Sequence, residues 1–202
     1  MRKKSHISLA RHIVRVTDLQ SIDRHKKAFY VGSILPDCKP SFLTKRHEIN
    51  ETFDIVVKGI EKLTLHYDCV EELSTRYFTR LGEVIHYVAD YFTFPHNREY
   101  TGGFKQHCIY EGELKHKLRA YIRSLKEEDL ASGFVEEHPC FGSVSDISNY
   151  IKQEHAKYIR RETHSVEEDC EYIVAVCSRI AQAILQLCMR TIQTRSQVVA
   201  ES

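Results

Sequence analysis

The chain has 202 residues, of which 42% are hydrophobic and 28% charged, with 29 Lys and Arg against 28 Asp and Glu. A net charge of +1 supplies no long-range attraction to nucleic acid or to an anionic membrane, and seven cysteines without paired short spacings fit reduced core thiols rather than a disulfide framework or a CxxC knuckle. No window approaches about 18 consecutive apolar residues and no apolar leader follows MRKK, so the expectation is one soluble domain over residues 1–202, cytoplasmic and without a transmembrane segment.

Eight glycines and four prolines are few, and apolar residues recur every three to four positions rather than every two. This periodicity predicts an all-α protein with helices at about 5–18, 22–33, 47–66, 70–93, 105–126, 144–162 and 165–195. The basic residues of MRKK read as a solvated terminus before the first helix. A loop from Leu35-Pro36-Asp37 through Pro40 separates the second helix from the third. The fourth covers its apolar face with Tyr77, Leu81, Val84, Val88 and Phe92, then meets a second loop from Pro95 to Gly103. The fifth repeats Leu114, Leu118, Tyr121 and Leu125 at spacings of three and four, and a third loop around Gly133 and Pro139 precedes the sixth. In the last helix Ile173, Cys177, Ile180, Ile184, Leu187 and Thr191 form one inward stripe, the mark of a core helix in which Cys170, Cys177 and Cys188 serve packing. No internal repeat or low-complexity tract interrupts this series.

The stretch LGEVIHYVADYFTFPHN, residues 81–97, departs from simple amphipathicity. His86 and Asp90 are four apart, which puts both on one helix face where they can converge on a single atom. Gly82 and Ala89 keep that neighbourhood small, and His96 beyond Pro95 can point back into it. HCIYE repeats the spacing with His107 and Glu111, which continue into the core-facing stripe of the fifth helix. An uncompensated carboxylate there costs several kcal/mol, a penalty that a divalent cation removes. Three imidazoles and two carboxylates within 26 residues, with no thiolate, suit zinc in an open site, and also manganese or iron. His25, His66, His116, His138, His155 and His164 lack such a pattern and read as ordinary histidines.

The order of these residues resembles the zinc-dependent phospholipase C family, which shares a multihelical fold and a trinuclear zinc site with fungal single-strand nucleases. The resemblance starts at SHISLARHIV with His6, runs through GSILPDC with Asp37 and KRHEIN with His47, and is densest over LGEVIHYVADYFTFPHN and QHCIYE. It covers about the first 115 residues; beyond them the likeness lies in helicity alone. It implies that Asp37, His47, His86 and Asp90 hold one zinc, that His96, His107 and Glu111 hold a second, and that Asp90 bridges to a third bound by Met1 and His6. Cys38 and Thr44 stand at or near positions where the choline-selective bacterial enzymes carry aromatic residues, so an aromatic cage for a quaternary ammonium is not evident.

The expected function is therefore a metal-dependent phosphodiester hydrolase of phospholipase C type with two to three zinc ions, acting on a phosphodiester that includes phospholipid. Asp37 is the expected catalytic residue, orienting or deprotonating the attacking water. HxxxE rather than HxxxD favours the phospholipase-like branch. The alternatives are a single-strand nuclease or nucleotidase, the one reading that brings in nucleic acid, and a non-catalytic metal-binding protein. No obligate protein partner is evident.

Overall fold

The structure, a computed structural model, describes residues 1–17, 20–38, 46–67, 73–125 and 141–200. Among the described residues eight helices follow in order: α1 (Lys3–Val16), α2 (Gln20–Arg24), α3 (Lys26–Gly32), α4 (Ile49–Thr64), α5 (Thr75–Tyr91), α6 (Phe104–Ser124), α7 (Val144–Ile159) and α8 (Val166–Ala200). Two short 3-10 turns, Pro36–Cys38 and Phe94–His96, lie between them. Among the described residues there is no strand, so the fold is all-α. Thr44, Pro40, residues 70–72 of the expected fourth helix and the loop around Gly133 and Pro139 lie outside the described residues.

The core forms where the apolar stripes meet. Ile173, Cys177, Ile180 and Ile184 of α8 are fully buried, and α8 packs against α1, α4, α5, α6 and α7. Each such aliphatic side chain contributes about 1.5–3 kcal/mol by leaving water. Residues Val166–Val198 are long and apolar enough to cross a bilayer, but 67% of their most apolar window is buried inside this fold, which makes α8 a core helix here. Thr191, at the end of the expected stripe, is half-buried and donates to the Leu187 carbonyl at 2.9 Å.

The expected helix over 22–33 is two helices, because the chain turns at His25, whose ring stacks on Phe78 at 5.5 Å and meets Thr75 Oγ1 at 3.1 Å. Helix α5 starts at Thr75, where the Ser74 hydroxyl accepts from the Tyr77 N–H and caps the first turn. Where α3 crosses α5 the backbones touch: a Cβ on Gly32 would lie 2.0 Å from the Thr79 carbonyl oxygen, and one on Gly82 would lie 2.5 Å from that of Phe29. The space that Gly82 leaves is thus filled by α3 and is not room for an occupant beside His86. The close crossing instead brings the carbonyl of Ser33 onto the His86 ring.

Candidate metal centre

Helix α5 carries His86 and Asp90 inward on one face, and neither is exposed at all. The Ser33 carbonyl accepts from His86 Nδ1 at 2.8 Å, which fixes the proton there and turns the Nε2 lone pair inward. That Nε2 faces His47 Nδ1 at 3.1 Å, Asp90 Oδ2 at 3.3 Å and Asp37 Oδ1 at 3.5 Å. His47 enters from the segment before α4, with Nδ1 2.9 Å from Asp90 Oδ2, and Asp37 enters from the first 3-10 turn. Ligand atoms of Asp37, His47, His86 and Asp90 all lie within 4.8 Å of one another.

The other oxygen of Asp90 looks the opposite way. Asp90 Oδ1 is 2.7 Å from the Met1 α-amine and 3.4 Å from His6 Nε2. Helix α1 begins at Lys3 and buries Ser5, His6, Leu9 and Ala10, so Met1, just before it, and His6 lie together against α5. His6 stacks on His86 with ring centroids 3.9 Å apart and is 1% exposed, yet neither of its ring nitrogens has a hydrogen-bond partner among the described residues. Two buried, unsatisfied nitrogens on one imidazole are costly unless a further group binds there.

A second cluster sits beside the amine. His96 from the second 3-10 turn and His107 and Glu111 from α6 also place ligand atoms within 4.8 Å of one another. Glu111 Oε1 is 3.3 Å from His96 Nε2, 3.3 Å from His107 Nε2 and 3.2 Å from the Met1 amine. The side chains of His107 and Glu111 are 30% and 17% exposed, so they lie at the rim of the α6 apolar stripe, not inside it as the periodicity suggests. Helix α6 tilts so that Leu114, Leu118 and Ile122 take the core, leaving its N-terminal turns at the surface.

The charges follow from this crowding. Burial alone would raise the pKa of Asp90, but the amine, His96, His86 and His6 outweigh it and hold the carboxyl well below its usual range. Burial alone would lower the Met1 amine, but Asp90 and Glu111 outweigh it and leave its pKa raised. Glu111 is held down, against burial, by His107, His96 and the amine. Burial raises Asp37 and, with the help of His86, pushes His6 down to about 3.

The donor set fits zinc. Imidazole nitrogens and carboxylate oxygens converge without thiolates, a backbone carbonyl orients one ring, and the orphaned nitrogens of His6 lack the partner that a cation supplies. Compared with protein families, residues 5–165 match the sequence model described as zinc dependent phospholipase C. The chain belongs to the zinc-dependent phospholipase C family. No curated protein and no solved structure matches it. The family is one of zinc-dependent hydrolases, and the matched region takes in every side chain of both clusters.

Sequence reasoning missed the residues that hold the site in place. Asp169 on α8, outside the family match, is fully buried and accepts from the Phe94 N–H at 2.9 Å, the Tyr110 hydroxyl at 2.8 Å and the Tyr158 hydroxyl at 2.6 Å. It thereby ties α7 and α8 to the turn that carries His96 and to the residue beside Glu111. Asn97 donates to the carbonyls of Tyr91 and Thr93, each at 3.1 Å, and accepts from His155 at 2.8 Å, fastening the same turn. Asp169 gave no signal because it follows Glu167 and Glu168 in a first turn where acidic residues suit the helix dipole.

Proposed function

We propose that this member of the family is a phosphodiester hydrolase of phospholipase C type that works with two or three zinc ions. In this reading Asp37, His47, His86 and Asp90 hold one ion and His96, His107 and Glu111 a second, with the Met1 amine, His6 and Asp90 completing a third place. The observation that supports it most is the division of Asp90: one carboxylate oxygen faces three histidines and the other faces His6 and the chain's amine. A carboxylate arranged in this way would serve as a ligand on both sides. Bound zinc supplies Lewis acidity, neutralising charge on a phosphoryl oxygen and acidifying water near neutral pH.

The residues do the rest. Asp37 is the member of the first group that also lines an open cavity at the surface, so it meets incoming water as well as the ligand cluster. Placed at the cavity beside the ligand cluster, its carboxylate would orient the water and take its proton as the water attacks phosphorus and the ester bond to the leaving alcohol breaks. His86, locked by Ser33, keeps its inward lone pair through the reaction. The Met1 amine must give up its proton to act as a ligand, which couples this place to pH. Glu111, not aspartate, on α6 favours the phospholipase-like branch over the nuclease.

The test is metal analysis followed by turnover of bis(p-nitrophenyl) phosphate, p-nitrophenylphosphorylcholine and single-stranded DNA, before and after EDTA. Zinc-dependent hydrolysis of the small diester is expected. Bound zinc without turnover of any substrate would make the protein a binding module, and turnover of DNA but of neither small ester would make it a nuclease.

A further inference from the structure

Beside Asp37 lies a cavity of about 490 Å³ lined by Met1, Arg2, Lys3, Lys4, Asp37 and Lys115. It joins the proposed reaction site to a wall of positive charge. Lys3 and Lys4 precede His6 on α1, and Lys115 stands one turn beyond Glu111 on α6, so two of the helices that carry proposed ligands also deliver ammonium groups to this space. Among the described residues, no carboxylate pairs with Lys3, Lys4 or Lys115, although Lys26, Lys117 and Lys157 elsewhere all have acidic partners. The Arg2 guanidinium donates to the Cys108 carbonyl at 2.8 Å, which pins the start of α1 to α6 and holds the wall together. Helix α1 also begins without a side-chain cap and without an acidic residue in its first turn, so its positive end adds to the field. With a net charge of +1 over the whole chain, this concentration is local.

We propose that the substrate is a phosphodiester that carries a second phosphate group, and that Lys3, Lys4 and Lys115 bind that phosphate while the diester occupies the space beside Asp37. This rests on the phosphodiesterase reading and narrows it to anionic head groups. A cationic head group would meet three like charges and, among the described residues that line the cavity, no aromatic face. Three ammonium groups around one phosphate supply charge-assisted hydrogen bonds, which are stronger than neutral ones and weaken with salt.

The test uses zinc-loaded protein and calorimetric titration with propane-1,3-diyl bisphosphate and with propyl phosphate. The bisphosphate should bind about tenfold tighter or more, a difference of about 1.4 kcal/mol. The triple variant K3Q/K4Q/K115Q should erase that advantage while zinc content and melting temperature stay as they are, since Lys3 and Lys4 are exposed and Lys115 half-buried. Equal binding of the two probes, or an advantage that survives in the triple variant, overturns the proposal. Hydrolysis of phosphatidylinositol 4-phosphate against phosphatidylinositol in mixed micelles, and of the corresponding water-soluble glycerophospho compounds, locates the source. Preference in both formats means that the head group alone is recognised, and preference in micelles only means that the lipid surface takes part. Tighter bisphosphate binding without hydrolysis of any diester would leave the anion site standing and remove the phosphodiesterase reading.

Discussion

Asp90 and Asp169 are both fully buried carboxylates, yet their surroundings are opposite. Asp169 is surrounded by donors that have nowhere better to go: two tyrosine hydroxyls and a backbone N–H. Burial nevertheless pushes its pKa up to about 6. Asp90 is surrounded by imidazoles and an amine, and its pKa is driven down in spite of burial. The first centre is complete with the atoms it has. The second crowds ring nitrogens against one another, as at His86 Nε2 and His47 Nδ1 3.1 Å apart, and leaves His6 without a hydrogen-bond partner among the described residues. Burial of charge thus marks a binding site only where the protein fails to satisfy it; where hydrogen bonds close the shell, the same carboxylate is a clamp.

The largest effects should fall on the Asp90 side. Asp90→Asn and His86→Ala are expected to lower turnover by more than about a hundredfold, since loss of mere support for a ligand already costs about 10–100-fold. Both should also reduce bound zinc, read by elemental analysis. Wild-type zinc content in Asp90→Asn would erase the distinction between the two centres. Glu111→Gln should remove metal from the second cluster while sparing the first.

Next comes pH dependence of the zinc-stripped protein, where the two centres titrate in opposite senses. His6 is depressed from 6.5 to about 3, so its contribution to stability is complete above pH 6.5 and is lost as pH falls towards 3, on the order of 5 kcal/mol at about 1.36 kcal/mol per unit. Asp169 is raised from 3.8 to about 6, so its contribution is complete below pH 3.8 and is lost as pH rises to 6, about 3 kcal/mol. Urea unfolding at several pH values checks both: His6→Asn should flatten the first slope, and Asp169→Asn the second. Identical profiles in all three proteins would show that neither environment acts as described.

At neutral pH, Asp169→Asn should cost about 2–3 kcal/mol, because an amide turns a donor towards donors. Zinc stoichiometry should stay unchanged in this variant, read by denaturant midpoint and elemental analysis together. Loss of zinc would make Asp169 part of the metal centre. The smallest effect belongs to Glu113→Gln, an exposed partner of Lys117, expected within about 0.5 kcal/mol of wild type. Glu127, an equally charged position by sequence, lies outside the described residues.

The sequence disclosed Asp90 and hid Asp169 for a physical reason. His86 with Asp90, and His107 with Glu111, are local pairs whose four-residue spacing is visible in one dimension. His6, Asp37 and His47 show no such local pairing and came from the resemblance alone, because only tertiary contact brings them to α5. Asp169 touches residues 11, 59 and 75 positions away, so no window contains its role. The glycine at position 82 was legible as important but not for its cause, since the backbone of α3 that fills its space lies about fifty residues earlier. Among the described residues most helix positions were readable because apolar periodicity is local, whereas the break at His25 depends on Phe78 and Thr75 from another helix.

The most direct test is a diffraction experiment on the zinc-loaded protein with anomalous scattering measured at the zinc edge. The expected result is a peak among Asp37, His47, His86 and Asp90, and another among His96, His107 and Glu111, with Asp90 in contact with more than one ion. An anomalous map without a peak at Asp90, from crystals of protein shown to carry zinc, would contradict it.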